Sequence, residues 1–355
     1  MLWCPHCLMW SARTPCRHCS SRKAAPAPRF LTGPARRPAG GERVWTVLLA
    51  GGEGRDFGDF SVHMFGNSIP KQFWSLDGTG GMMGWALARA RRLAPKEHMI
   101  AITRADHARW AAPRFRDLPP ENVLVEPADR GSAPGLFLAL TKITQADPEA
   151  IVVLLPCDHH VEEERVLSEA ILDAASVAAA SHRIVLLGAA ADGTGAECAW
   201  ILPKGERRAS RGAPRAVGCI LNHHELPATD RLARDGAFVS TGIVVASGAS
   251  LVAQFAATVP DLVRECVGHM IETRDERGSL EALYEGLSPR DFNRDVLNGS
   301  PESLAVARIP TCGWTDLGTP AKLQEFLRDR VIACPKIVPH GAGKPARTYV
   351  SRSGS

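Results

Sequence analysis

From residue 44 to residue 188 the sequence alternates between short apolar runs and amphipathic stretches. Val44–Ala50, His98–Thr103, Val123–Glu126, Ile151–Pro156 and Arg183–Gly188 have the length and apolar content of buried strands. Met82–Leu93, Ser132–Thr144 and Glu162–Ser181 read as helices. Parallel neighbours need a crossover between them, and a helix is the usual crossover. The pattern therefore predicts an α/β chain with a mostly parallel sheet covered on both faces. Ligands of such sheets bind beyond the carboxyl ends of the strands, so the chemistry is to be sought there.

Between Glu197 and Gly248 the pattern changes to short β-like pieces, "AWILP", "AVGCIL" and "FVSTGIVVAS", broken by a basic loop at 204–215. An inserted or appended mixed region over the ligand edge is expected. Helical sequence follows from Leu251 to Leu297, then a strand at Leu304–Ile309, the turn "CGWTDLGTP" and a last helix from Pro320 to Arg330. One domain over 43–330 is expected, with a loose tail at 331–355. Residues 26–42 are rich in Pro, Ala, Gly and Arg and read as a flexible linker.

Residues 1–25 hold two CxxC knuckles, Cys4/Cys7 and Cys16/Cys19. Four thiolates so arranged suit a structural tetrahedral Zn²⁺, and an unstructured tail from a mis-set start is the alternative. The six remaining cysteines are scattered among apolar neighbours and read as small buried hydrophobes of a reducing compartment. The N-terminus lacks the apolar core of a secretory signal, and the apolar runs fall short of the roughly 20 residues a bilayer crossing needs. A cytoplasmic protein without a membrane partner is expected. The net charge of +4 arises in residues 1–43, which carry eight Arg or Lys against Glu42 alone, so the body is faintly acidic. With no aromatic-rich pattern beside it, this argues against nucleic acid as a partner.

Four stretches carry candidate chemistry. Ala50-Gly51-Gly52-Glu53-Gly54 leaves a strand and can turn successive N–H groups to an anion, with Lys71 able to return as a point charge. It is neither a Walker A loop nor GxGxxG, since no GK[ST] follows and Phe57 stands where the third glycine belongs. Arg130-Gly131-Ser132-Ala133-Pro134 opens a helix after a strand and can accept a phosphate or a base edge, or simply start the helix with Ser132 as its cap. Asp158 follows a buried strand, and Asp316 lies in the turn before the last helix. Each could cap a helix; together they could share one Mg²⁺.

In this order, "LLAGGEG" (48–54), "PKQFWSLDG" (70–78), "PADRGSAPG" (127–135), "LPCDHHV" (155–161) and "GWTDLGTP" (313–320) resemble the sugar-phosphate nucleotidyltransferases, most of all the bacterial mannose-1-phosphate guanylyltransferases. The resemblance implies a Rossmann-like, GT-A-like three-layer domain. It implies transfer of a nucleoside monophosphate from an NTP, GTP by preference, to a sugar 1-phosphate such as mannose 1-phosphate, with release of pyrophosphate and Mg²⁺ as cofactor. Carried over by residue, Ala50, Gly51, Gly52 and Gly54 would cradle the triphosphate and Lys71 would steady a phosphate. Arg130, Gly131 and Ser132 would face the base, and Asp158 and Asp316 would hold the metal. His223, Trp200 and Thr241 would meet the sugar phosphate. A homodimer is left open.

The departures are as informative. The family loop usually reads Gly-x-Gly-Thr-Arg-Leu, whereas here Arg55 and Asp56 follow Gly54. Asp56 would repel a triphosphate unless Arg55 turns inward as the catalytic cation or Asp56 itself takes a metal. The usual Glu-Lys-Pro corresponds to Asn222-His223-His224, and a Tyr-Gly pair before Trp200 reads Cys198-Ala199. A nucleotide or sugar-nucleotide binding paralogue with impaired turnover is the alternative function.

Overall fold

The computed structural model describes residues 2–4, 9–11, 43–52, 57, 61–62, 68–74, 81–190, 198–205, 214–222, 229–272 and 276–329. Near the N-terminus β1 (Leu2–Cys4) pairs antiparallel with β2 (Met9–Ser11). Cys7, Cys16 and Cys19 lie outside the described residues, and with them the expected zinc site.

The body is built on a nine-stranded sheet. Its strands are β3 (Val44–Leu49), β4 (Met99–Arg104), β5 (Val123–Glu126), β6 (Ile151–Pro156), β8 (Ile184–Ala189), β9 (Trp200–Pro203), β10 (Arg215–Leu221), β11 (Phe238–Ser247) and β12 (Leu304–Arg308), in the order β5-β4-β3-β6-β11-β8-β12-β10-β9. A separate two-residue ribbon joins β7 (His159–His160) to β13 (Thr315–Asp316). The helices are α1 (Gly81–Leu93), α2 (Ala108–Phe115), α3 (Ser132–Ala146), α4 (Glu164–Ser181), α5 (Thr229–Arg234), α6 (Gly248–Thr258), α7 (Pro260–Glu272), α8 (Glu276–Gly286) and α9 (Pro320–Asp329).

Strand periodicity sorts the core into two layers. Val44 and Leu48 face one layer, with Met82 and Trp85 of α1, Leu167 and Ile171 of α4, and Leu323 and Phe326 of α9. Trp45 and Val47 face the other, with Phe137 and Leu140 of α3, Leu251 and Phe255 of α6, Leu262 of α7 and Tyr284 of α8. The expected three-layer α/β arrangement is present.

The sheet is mixed rather than mostly parallel. β5, β4, β3 and β6 run parallel, as do β8 and β12, but β11 is antiparallel to both β6 and β8 and separates them. The pieces expected as an insertion over the ligand edge are strands of this sheet: β9 and β10 close its far end and β11 sits at its centre. A ten-residue apolar strand looks the same at an edge and at a centre, because apolar content reports burial but not neighbours. Two short helices were not expected, α2 with Pro113 inside it and the six-residue α5. Among the described residues no helix is long and apolar enough to cross a membrane.

Candidate active site

The described part of the glycine loop leaves β3 with Ala50 fully buried, its N–H donating to the Ile102 carbonyl at 2.9 Å. Gln72, a buried residue in the short turn Lys71–Phe73, grips the loop: its amide Nε2 donates to the carbonyls of Ala50 (2.8 Å) and Gly52 (3.0 Å). Gly54, Arg55 and Asp56 lie outside the described residues.

A cleft of about 330 Å³ opens beside this loop, lined in part by Gly51, Gly52, Arg104, Glu126, Gly131 and Ser132. It lies at the carboxyl ends of β3, β4 and β5 and at the mouth of α3, where parallel sheets bind ligands. Gly131 turns the chain into α3 with φ +79°, and a Cβ there would collide with the Arg290 carbonyl. Only glycine fits that turn without strain. Ser132 does not cap α3. Its hydroxyl donates to the Asp291 carboxylate at 3.0 Å and accepts the Phe292 N–H at 2.8 Å, tying the mouth of the helix to a later loop.

The guanidinium expected to face a base does not line this cleft. Arg130 Nε donates to the Tyr284 carbonyl at 2.6 Å. Arg104 lines it instead, held by Asp106 (2.6 Å) and Asp129 (3.1 Å).

Glu126, at the end of β5, was not singled out in the sequence. Its signal was a carboxylate closing an apolar strand at the ligand edge. It is buried, accepts a hydrogen bond from the Tyr284 hydroxyl at 2.9 Å, and packs so tightly on Gly135 that a Cβ there would come within 2.5 Å of its Oε1. Burial raises its pKa to about 7, outweighing the Tyr284 hydrogen bond and the attraction of Arg104, which lower it. The carboxyl therefore holds a proton in the folded protein that the unfolded chain releases near 4.5. Stability from this group is full below pH 4.5 and is lost as the pH rises toward 7, by an expected ~3 kcal/mol. Glu126→Gln should flatten that part of the profile in urea denaturation at pH 4.5 to 8, and an unchanged slope would exclude Glu126 as its source.

The second half of the site is formed by the β7–β13 ribbon. His159 pairs with Asp316, and Leu317 N–H donates to the Asp158 carbonyl at 3.0 Å. This brings ligand atoms of Asp158, His159 and Asp316 within 4.8 Å of one another. Each carboxylate also holds a lysine. Lys71 Nζ lies 2.7 Å from Asp158 Oδ2 and 3.1 Å from the Gly318 carbonyl, and Lys322 Nζ lies 2.7 Å from Asp316 Oδ2. Lys322, in the first turn of α9, also donates to Cys198 Sγ at 2.8 Å. Burial pushes the Cys198 thiol up to about 11. Burial pushes the Asp158 carboxyl upward too, but Lys71 and His159 outweigh it and hold Asp158 below the usual carboxylate range.

Burial lowers the pKa of His159, against the pull of both aspartates, which favours the neutral imidazole. Its Nδ1 is buried without a hydrogen-bond partner among the described residues. Two carboxylates and a neutral imidazole whose Nε2 lies 3.8 Å from Asp158 Oδ1 fit one divalent cation. The oxygens suit Mg²⁺, and the imidazole admits Mn²⁺ as well. Lys322 was not anticipated, because a lysine two residues into a helix carries no local signature of what it reaches.

Two other expected residues are buried away from solvent. Trp200 is 2% exposed in the core. Thr241 is 1% exposed, its hydroxyl donating to the Leu187 carbonyl at 2.7 Å and accepting the Ile243 N–H at 3.2 Å beside an irregularity in β11. Neither presents a polar atom to a ligand in this conformation, because each is locked into the sheet or its covering layer. His223 lies outside the described residues.

No family model matches the chain. Among curated proteins it is 22% identical over 284 residues to the alginate biosynthesis protein AlgA of Pseudomonas putida, covering 79% of this chain and 57% of that one. It is 29% identical over 140 residues to a mannose-1-phosphate guanylyltransferase of Escherichia coli, covering 39% of this chain and 29% of that one. The match thus spans little more than half the length of the first of these curated relatives and under a third of the second. Among solved structures it is similar to one from Thermus thermophilus described as a mannose-1-phosphate geranyltransferase, with TM-score 0.65, 20% identity, and 78% of this chain and 76% of that one covered. It is also similar to a Helicobacter pylori structure described as mannose-6-phosphate isomerase, with TM-score 0.58, 15% identity, and 77% and 100% covered. The structural likenesses carry the fold. One of the curated relatives, that of Escherichia coli, bears the name of the proteins that the five motifs resemble.

Proposed function

We propose that this chain transfers a nucleoside monophosphate from a nucleoside triphosphate, GTP by preference, to a sugar 1-phosphate, mannose 1-phosphate by preference, releasing pyrophosphate. The observation that carries the reading is the meeting of Asp158 and Asp316 beside Lys71, which Gln72 links to the glycine loop of the cleft. Segments far apart in the chain thus converge on one charged centre, tied to the cleft through the turn Lys71–Phe73. The name of the Escherichia coli relative supports the substrates.

In this reading the cleft takes the nucleoside, with Gly51 and Gly52 against the phosphates and the mouth of α3 against the base. Guanine presents N–H donors at N1 and N2, and the Asp129 carboxylate offers acceptors on that side. Asp158 and Asp316, with His159 as a third donor, would hold Mg²⁺. The ion, when bound, supplies charge neutralisation at the phosphate oxygens. Lys71 steadies a phosphate of the triphosphate. An oxygen of the sugar phosphate forms a bond to the α-phosphorus as the bond from that phosphorus to the β-phosphate's bridging oxygen breaks, and pyrophosphate leaves with the bonding electrons. Positioning and charge then carry the catalysis, without a covalent enzyme intermediate.

Pyrophosphate release measured across four NTPs and a panel of sugar 1-phosphates tests the reading. The expected result is highest turnover with GTP and mannose 1-phosphate, dependent on Mg²⁺. Turnover with another sugar alone would keep the reaction class and replace the substrate. Absence of turnover with every pair, together with calorimetric binding of GDP-mannose, would make the chain a sugar-nucleotide binding protein.

A further inference from the structure

Each carboxylate of the proposed metal pair already holds an ammonium group at 2.7 Å, so two anions and two cations sit together with a formal sum of zero. A divalent cation that takes the same oxygens competes directly with both lysines. Lys71 precedes Gln72, the residue that grips the loop carbonyls, and so lies on the nucleotide side. Lys322 enters from α9, and its second contact is Cys198, two residues before β9 begins. Its side chain is 12% exposed, and a four-carbon stem lets the ammonium move several ångströms without disturbing the helix. A sugar 1-phosphate brings close to two negative charges, which have to be met beside the metal.

Resting on the metal reading above, we propose that Lys322 is the cation for the phosphate of the second substrate. It pairs with Asp316 while the carboxylates are without an ion, and it turns onto the sugar phosphate once a divalent cation takes Asp316. Lys322 is then a substrate-contacting residue, and the exchange couples metal binding to the exposure of a positive charge.

The proposal predicts effects of opposite sign in one variant, which a lysine that only ties α9 to β13 would not give. Mn²⁺ is titrated into the full chain, with the free ion read by electron paramagnetic resonance, and mannose 1-phosphate binding to the Mn²⁺-saturated protein is measured by calorimetry. Lys322→Met should bind Mn²⁺ roughly three- to fivefold more tightly, because the competing ammonium is gone. It should bind mannose 1-phosphate about tenfold or more weakly, as expected for a lost hydrogen bond to a charged group. Lys322→Arg, which keeps the charge, should stay near the wild type in Mn²⁺ affinity and recover part of the sugar-phosphate affinity. Circular dichroism of both variants confirms the fold. Unchanged or weaker Mn²⁺ binding in Lys322→Met, or tightening in Lys322→Arg as well, overturns the proposal while leaving the metal site standing. Wild-type protein that binds no Mn²⁺ overturns the metal reading and this inference with it. Mn²⁺ binding without any uptake of mannose 1-phosphate refutes the role of Lys322 toward that substrate.

Discussion

Replacing Asp158 by Asn is expected to lower pyrophosphate release by on the order of 10² to 10³ at saturating substrate, the usual effect of removing one transition-state charge contact. The amide keeps the shape of the carboxylate but not its charge. It can neither hold a divalent cation with Asp316 nor keep Lys71 in place, and Lys71 is paired with Asp158 at 2.7 Å. Asp316→Asn should have an effect of similar size. The double variant should fall well short of the product of the two losses, because groups that act as one unit are not additive. Far-ultraviolet circular dichroism should be unchanged, since β7 and β13 are joined through the backbone rather than through either carboxylate. Retention by Asp158→Asn of wild-type turnover with its Mg²⁺ requirement would remove the metal assignment.

Glu164→Ala is expected to destabilise the fold by about 3–5 kcal/mol, the usual consequence of stranding a buried charge. Arg89 of α1 is fully buried, and its guanidinium bonds both oxygens of Glu164 at the start of α4, Nε at 3.0 Å and Nη2 at 2.8 Å. Deleting the carboxylate leaves a guanidinium among the apolar residues that cement the two helices to the sheet. Replacing both partners by apolar residues, Arg89→Met with Glu164→Leu, should recover most of the loss, because neither charge is then stranded. Urea denaturation of the single and double variants measures this. A single variant within about 1 kcal/mol of the wild type would show that water reaches the site and solvates Arg89, leaving the pair worth no more than an exposed one.

Much of the architecture was legible in the sequence because it rests on local periodicity. The apolar runs at Val44, Ile151 and Leu304 became strands and the amphipathic stretches around them became helices, with boundaries displaced by a residue or two. The two aspartates were legible for the same reason, since a carboxylate at a strand end or in a glycine turn stands at the ligand edge of such a sheet. What escaped depends on neighbours distant in sequence. The central place of β11 is decided by which strands it separates, and its own residues do not encode that. Glu126 acquires its raised pKa from burial against Gly135 and Tyr284, the latter 158 residues away. Lys322 is ordinary until α9 sets it against Asp316 and Cys198. Arg130 looked like a ligand residue from its place at a helix mouth, and the Tyr284 carbonyl that holds it lies on another helix.

The position of β11 bears on how the chain can be made. β6 and β8 leave the ribosome before the strand that joins them, and roughly fifty residues separate β8 from β11. At about 5–20 residues per second that interval lasts about 2 to 10 s. Throughout it the parallel half of the sheet ends in a bare edge at β6, with unpaired N–H and C=O groups that invite another strand. The nascent protein is thus most open to misassembly in the interval between the synthesis of β8 and that of β11. Chaperone supply and elongation rate across residues 190–237 should therefore govern the yield of correctly folded protein more than the stability of the finished sheet.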